Sequence, residues 1–189
     1  MKTKKSSALV LSALFAALIS AGCFIQIPLP SGVPVVIQDM MAMLSGLLLG
    51  PLYGGISAAI FILLGILGLP VFSGKAGLHV ILQGPTGGFI AGYFVAAVLG
   101  GLVLEIFLPR EKKISAKKEF ALIFFAAVLA TVIVFFFGVM RFKIVTGSSA
   151  EKLVALCLLP FLPGNAIKLA VMIFVTKKFR PVVSNYVLK

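Results

Sequence analysis

The sequence predicts an all-α polytopic membrane protein with six transmembrane helices, and three observations carry that expectation. The 189 residues are 61% hydrophobic and only 12% charged, with a mean hydropathy of +1.19. A soluble domain carries about half apolar and a quarter charged residues, so this chain cannot cover itself with polar surface. Its apolar residues come in long runs parted by short Gly/Pro or Lys/Arg stretches, which is the pattern of membrane helices and not of barrel strands. Its basic residues gather at the N-terminus (Lys2, Lys4, Lys5), in one loop (Arg110, Lys112, Lys113, Lys117, Lys118) and at the C-terminus (Lys177, Lys178, Arg180, Lys189). A net charge of +12 would suggest nucleic acid in a soluble protein. Placed as it is, the charge reads as positive-inside topology and attraction to membrane lipid, with no nucleic acid partner.

The elements follow in order. Residues 8–25 form the first helix. Lysines, an apolar run and Ser20-Ala21-Gly22-Cys23 mimic a lipoprotein signal peptide. Such sites prefer an aliphatic residue where Ser20 stands, and the rest of the chain is also apolar, so a first transmembrane helix is expected without cleavage. Residues 26–34 hold three prolines and Ser31-Gly32, hence a loop or re-entrant turn. Helix 2 covers 35–49 and stops at Gly50-Pro51; helix 3 covers 54–69 and stops at Pro70. A Gly-rich loop (71–87) precedes helix 4, which runs to Phe107, and a basic loop (109–119) precedes helix 5 (120–140). A polar loop (141–152) and an apolar segment broken by Pro160 and Pro163 lead to helix 6, from Gly164 to the stop at Thr176-Lys177-Lys178.

Threaded from a cytoplasmic N-terminus, this path puts the three basic clusters and both termini in the cytoplasm. Only Lys75, Arg141, Lys143 and Lys152 are left for the outer loops. Helices 2 and 3 are short for a hydrocarbon core of about 30 Å, so the outer loops can dip inward. Irregular backbone at membrane depth has to be buried or line a cavity, which predicts an outward-facing pocket. Residues 1–189 make one membrane-embedded domain, with no room for a soluble catalytic or nucleotide-binding module.

The chemistry that is missing narrows the function. The chain has no P-loop, only five acidic residues, and His79 as its single histidine, read as a polar loop residue. No catalytic residue, metal site or cofactor is expected, and the chain does not read as an enzyme. Cys23 and Cys157 lie in apolar runs without ligand spacing and read as packed thiols. Three features stand out against this background. Lys168 lies inside helix 6, where a charge costs around 2.5–3.5 kcal/mol and marks a function unless it snorkels to the interface. Asn165 shares its helical face, and an amide beside an ammonium near a helix N-terminus suits an anionic, amide-like ligand. Gln38-Asp39 opens helix 2, where Asp39 either pairs with a lysine or marks the interface. Ala13, Ala17 and Ala21 make a small-residue stripe that lets another helix approach closely.

Several blocks resemble one family in order and spacing. They are Val33-Pro34-Val35 with Ile37-Gln38, Gly46-Leu47-Leu48-Leu49-Gly50-Pro51, Leu64-Gly65, and Gly68-Leu69-Pro70-Val71-Phe72. Gly84-Pro85-Thr86-Gly87-Gly88-Phe89 follows, then Leu159-Pro160-Phe161-Leu162-Pro163-Gly164-Asn165 to Lys168. Together they are similar to BioY, the biotin-specific S-component of energy-coupling factor (ECF) transporters. The resemblance implies a six-helix S-component fold in the bacterial cytoplasmic membrane, with biotin held near the outer face under the loop between helices 1 and 2. It also implies partners: a T subunit meeting Ala13, Ala17 and Ala21, and two ATPases that use the ATP, so this chain needs no cofactor. On this reading Lys168 neutralises the biotin carboxylate, Asn165 contacts the ureido ring, and Lys75 is a second cation. Gln38 and the turn of Gly84, Pro85, Thr86 and Gly87 close the pocket. The family usually has an aspartate where this chain has Asn165, an amide that can both accept and donate. Two rivals remain open. One is a secondary carrier or solitary facilitator for biotin or another small anionic vitamin; a proton- or sodium-coupled carrier would need buried carboxylates and usually an internal repeat. A membrane enzyme acting on a lipid would need carboxylates or a metal.

Overall fold

The computed structural model describes residues 2–110 and 114–187, with side chains from Lys5 onward. Of the basic clusters, Lys112, Lys113 and Lys189 lie outside the described residues, as do the side chains of Lys2 and Lys4.

The chain is mostly helical. Helix α1 (Lys2–Ala21) ends in a 3-10 turn, Gly22–Phe24, and a small hairpin of β1 (Gln26–Ile27) and β2 (Val35–Val36) follows. Then come α2 (Gln38–Leu49), α3 (Pro51–Ile66), the short α4 (Leu78–Leu82), α5 (Gly87–Phe107) and α6 (Ala116–Thr146). Helix α7 (Ala150–Leu153) passes through a π turn and a 3-10 turn into α8 (Leu162–Val187). Among the described residues, four helical stretches are long and apolar enough to cross a membrane: Lys5–Phe24, Gly87–Phe107, Ala116–Thr146 and Ala150–Val187. Helices α2 and α3 are apolar but shorter. Leu9, Leu63, Phe125, Phe136, Ile167 and Phe174 are all exposed, the surface of a protein solvated by lipid.

Several boundaries differ from the sequence reading. Residues 35–36, expected in helix 2, pair antiparallel with β1 (Gln26 opposite Val36, Ile27 opposite Val35), so α2 opens only at Gln38. Pro51 starts α3 because its missing N–H costs nothing in a first turn. Residues 141–146, expected in a polar loop, complete α6, which stops at left-handed Gly147 (φ 64°). The Arg141 guanidinium donates to the Leu82 carbonyl, so a charge read as loop is a tertiary contact. Helix α8 runs through Lys177 and Lys178, with the Lys178 ammonium over the Phe174 and Phe179 rings at 5.7 and 5.6 Å. Cys23 and Cys157 are free and buried, as expected.

Helix α2 is the axis of the bundle, with every residue but Met41 buried. It packs on α1, α3, α5 and α8, and glycine sets the spacing. A Cβ at Gly46 would overlap the Ala97 backbone of α5, and one at Gly54 would overlap Gly46 itself. Small residues bring membrane helices to backbone contact in this way. Helices α1, α3 and α6 end where α2, α5 and α8 begin. Gln38 bonds to Ile19, Phe72 packs over Gly65, and Gly138 touches Phe89 at that end.

Candidate functional site

The loops at that end enclose a cavity in two zones. The inner zone is lined by Gln38 and Asp39 below, by Phe72, Phe89, Tyr93, Phe135 and Phe161 at the sides, and by Val33 and Pro34 of the hairpin above. Its walls are fixed by ring contacts. Phe89 meets Phe135 edge-on at 5.8 Å and stacks on Phe161 at 6.5 Å, while Phe72 meets Phe61 edge-on at 5.5 Å. The zone has about 30 Å³ of free volume, roughly one water's share. The outer zone, about 170 Å³, shares Pro34, Phe72, Ser73 and Thr86 with the inner one and adds Gln26, Pro28 and Lys75. The cavity therefore grades from an aromatic interior with a polar floor to a mouth bearing one ammonium.

Gln38 sets the floor. Its Nε2 donates to Ile19 O at 3.1 Å and to Val71 O at 2.6 Å, tying α1, α2 and the loop after α3 together. Its Oε1 accepts from no described donor and so remains available. Asp39 is held more tightly still. Its two carboxylate oxygens accept from Lys168 Nζ at 2.8 and 2.7 Å, and Oδ1 also accepts from Met40 N at 2.7 Å. Both side chains of this ion pair are over nine-tenths buried. In surroundings of low dielectric, two well-aligned charges hold each other in place and neither can be removed cheaply.

The mouth is shaped by a tight turn. Phe72 and Lys75 exchange backbone hydrogen bonds at 2.9 and 3.0 Å, with Ser73 (φ 52°) and Gly74 (φ 84°) between them. Ser73 is the only described non-glycine residue at positive φ, and it lines both zones. Strain of this kind gathers at functional sites.

Of the residues singled out in the sequence, the structure brings Gln38 and Thr86 to the inner zone and Lys75 and Thr86 to the outer. Lys168 is buried beneath the floor and lines neither zone; it meets Asp39 and does not snorkel. Asn165 is half-buried and lines neither zone, and its side chain makes no hydrogen bond among the described residues. Gly84, Pro85 and Gly87 frame the turn without lining the cavity, and a Cβ at Gly84 or Gly87 would strike the Val80 or Ile81 carbonyl. Ala13, Ala17 and Ala21 lie exposed on one side of α1, opposite buried Ser12, Phe15, Ala16 and Ile19. His79 is an exposed residue of α4, not of a loop. No described group of three or more His, Cys, Asp or Glu could hold a metal. The sequence reading missed the aromatic walls. Phe72, Phe89 and Phe161 stood inside the quoted blocks, but an aromatic residue in an apolar run carries no mark of the face it occupies.

A buried polar floor inside an apolar helical bundle, closed over by a proline-rich hairpin, defines a membrane protein that captures a small amphipathic ligand. The BioY family profile matches residues 1–185, and the chain belongs to the BioY family. It is 33% identical over 163 residues to the biotin transporter BioY of Thermotoga maritima, covering 86% of this chain and 89% of that one. It is 34% identical over 167 residues to the biotin transporter BioY of Rhizobium etli, covering 86% and 87%. A crystal structure of the S-component for biotin from an ECF-type ABC transporter superposes with a TM-score of 0.84 at 28% identity, covering 95% of this chain and 94% of that one.

Proposed function

We propose that this chain captures biotin in the Gln38–Asp39 cavity and acts, as one membrane-embedded unit, as the S-component of an ECF-type transporter in the cell membrane. The observation that carries the reading is the polarity gradient of the cavity. Biotin is a fused apolar bicycle with two ureido N–H donors and a carbonyl at one end and a carboxylate at the other. Gln38 Oε1 and the Asp39 carboxylate offer acceptors on the floor, the phenyl rings flank the bicycle, and Lys75 at the mouth meets the carboxylate. Ser73 and Thr86 lie between as hydroxyl donors. Lys168 is already engaged with Asp39 and so is not free for the ligand.

In the same reading α1, α2, α3, α5, α6 and α8 are the six transmembrane helices. Both termini and the basic clusters are cytoplasmic, and the hairpin faces outward. The exposed Ala13, Ala17 and Ala21 face meets a T subunit, whose two ATPase partners hydrolyse the ATP. This chain itself binds no cofactor and catalyses no reaction. Purified chain in detergent should bind isotopically labelled biotin saturably, one per chain, and unlabelled biotin should displace it. Absence of saturable binding, or equal displacement by an unrelated anionic vitamin such as pantothenate, would overturn the assignment.

A further inference from the structure

At the end of the bundle away from the candidate site, two arginines turn inward. Arg180 continues the buried stripe of α8 formed by Lys168, Met172, Thr176 and Ser184, and is only 7% exposed. Its Nη2 donates to Leu104 O at 3.0 Å, while its Nε is buried with no partner. Arg110, just past α5, donates from Nη2 to Leu48 O at 2.7 Å and from Nη1 to Ser184 Oγ at 3.3 Å. Both arginines line one cavity of about 390 Å³, with Pro109, Ile114, Glu119 and Ser184 among its walls. Burial pushes the Arg110 guanidinium below its ordinary pKa, and the nearby Glu105 carboxylate offsets only part of that.

Glu119 lines the cavity and Glu105 stands close by, yet neither closes on a guanidinium. The one ion pair among the described residues is Lys168–Asp39. Two guanidinium groups therefore face one space beside a single lining carboxylate, Glu119, with most of their N–H donors unused. A planar guanidinium fork fits phosphate oxygens bidentately, and α6 starts beside this cavity at its Ser115 cap, adding the positive end of a helix dipole. Exposed Ile106, Phe107, Phe120 and Phe124 follow on α5 and α6, so the ligand has an apolar part as well. Exposed Lys117 and Lys118 in the first turn of α6 disfavour a headgroup carrying its own cation.

We propose that this cavity holds the phosphate of an anionic phospholipid between Arg110 and Arg180, with the acyl chains lying along the apolar faces of α5 and α6. The inference does not depend on biotin, and neither does its test. Purified protein is exchanged into nanodiscs of equal phosphatidylglycerol and phosphatidylcholine, extracted into mild detergent, and weighed by native mass spectrometry. Wild type should retain phosphatidylglycerol over phosphatidylcholine by about ten-fold or more. Arg180→Gln and the double variant Arg110→Gln/Arg180→Gln should lose that preference, while Lys75→Gln, at the other end, should keep it. Equal retention of the two lipids by wild type would overturn the proposal without reference to any variant's folding. Undiminished preference in the double variant would overturn it too. So would displacement of the lipid by millimolar inorganic phosphate, which would mark a site for a free anion. Loss of co-purifying transporter subunits from Arg180→Gln with lipid retention unchanged would put a protein carboxylate there instead.

Discussion

Lys168 and Arg180 sit on the same buried stripe of α8 and end in opposite electrostatic states. Twelve residues of helix separate them, about 18 Å along the axis. Lys168 meets both oxygens of Asp39 at the start of α2. Arg180 meets a backbone carbonyl and shares a cavity with a second arginine and with Glu119, which forms no ion pair with it. In the sequence the two look alike, cations four residues away from other members of one helical face. The difference lies in what the neighbouring helices bring. At one end α2 supplies a carboxylate and completes the charge inside the chain; at the other, α2 supplies only the Leu48 carbonyl to Arg110. A complete pair can organise a binding floor by itself, whereas an incomplete one needs a group from outside.

The comparison breaks most visibly at the pair. Removing one partner of a buried ion pair costs about 3–5 kcal/mol, so Asp39→Asn and Lys168→Met should each lower stability by that order in thermal or denaturant unfolding of the purified protein. The double variant should recover part of the loss, since no charge is left alone. A relocation test is sharper. Asn165 stands three residues before Lys168 on the same face, where the resemblance to the family implies an aspartate. Asp39→Asn with Asn165→Asp moves the carboxylate from α2 to α8 and should restore most of the stability. If Asp39→Asn alone unfolds like wild type, the pair does not hold the floor together.

The next effect concerns which cation faces the ligand. Loss of a charge-assisted hydrogen bond costs about 1.5–3 kcal/mol, so Lys75→Met should weaken biotin binding roughly ten- to a hundred-fold. Biotin methyl ester should bind wild type worse than the acid and lose little further in Lys75→Met. Lys168→Met should weaken acid and ester alike, because it acts through Asp39. If instead Lys168→Met spares the ester and Lys75→Met does not, the carboxylate anchor is Lys168 and the cavity is occupied in the reverse sense.

Much of the fold was legible because its punctuation is local. Helix α5 (Gly87–Phe107) was read to within one residue at its start and at its observed end, since Gly84-Pro85 precedes it and Pro109 follows. Gly50-Pro51 separates α2 from α3 for the same reason. The hairpin was read only as a proline-rich loop, because two-residue strands have no periodicity to detect. The ends of α6 and α8 were misplaced where charge was equated with loop. A helix that leaves the apolar region keeps its hydrogen bonds; Arg141 finds a tertiary partner there, and Lys178 lies over two rings of its own helix. At the candidate site, Gln38, Thr86 and Lys75 were visible as polar residues in apolar or Gly-rich runs. The partner of Lys168 could be named only as a possibility, since Asp39 lies 129 positions away. Arg110 and Arg180 were read as topology signals, and nothing local marks a basic residue that turns inward.

A smaller effect tests the uncompensated end. In detergent stripped of lipid, Arg180→Met removes an unpaired buried charge and one hydrogen bond to Leu104, two changes of opposite sign. Stability should therefore stay within about 1 kcal/mol of wild type, in contrast to Lys168→Met in the same unfolding assay. A loss of the Lys168 size would mean that Arg180 is as well paired as Lys168, and the contrast between the two ends would vanish.

The smallest effect on the isolated chain is expected on the exposed side of α1. Ala13 and Ala17 touch neither end of the stripe, and they stand opposite the α1 residues that pack into the bundle. Enlarging them to leucine adds volume where nothing in this chain is displaced, and surface substitutions of this kind stay within about 0.5 kcal/mol. Ala13→Leu/Ala17→Leu should therefore unfold and bind biotin like wild type. What it should lose is close approach of a second helix, because two leucines one turn apart hold the neighbouring backbone away. In cells that also produce the T subunit and the ATPases, biotin uptake should fall while the amount of the chain in the membrane stays constant. Co-purification of the T subunit should fall with it. Unchanged uptake and co-purification would place the coupling surface elsewhere, whereas weakened biotin binding would mean that the α1 face reports on the cavity through Gln38, whose amide donates to Ile19 of the same helix.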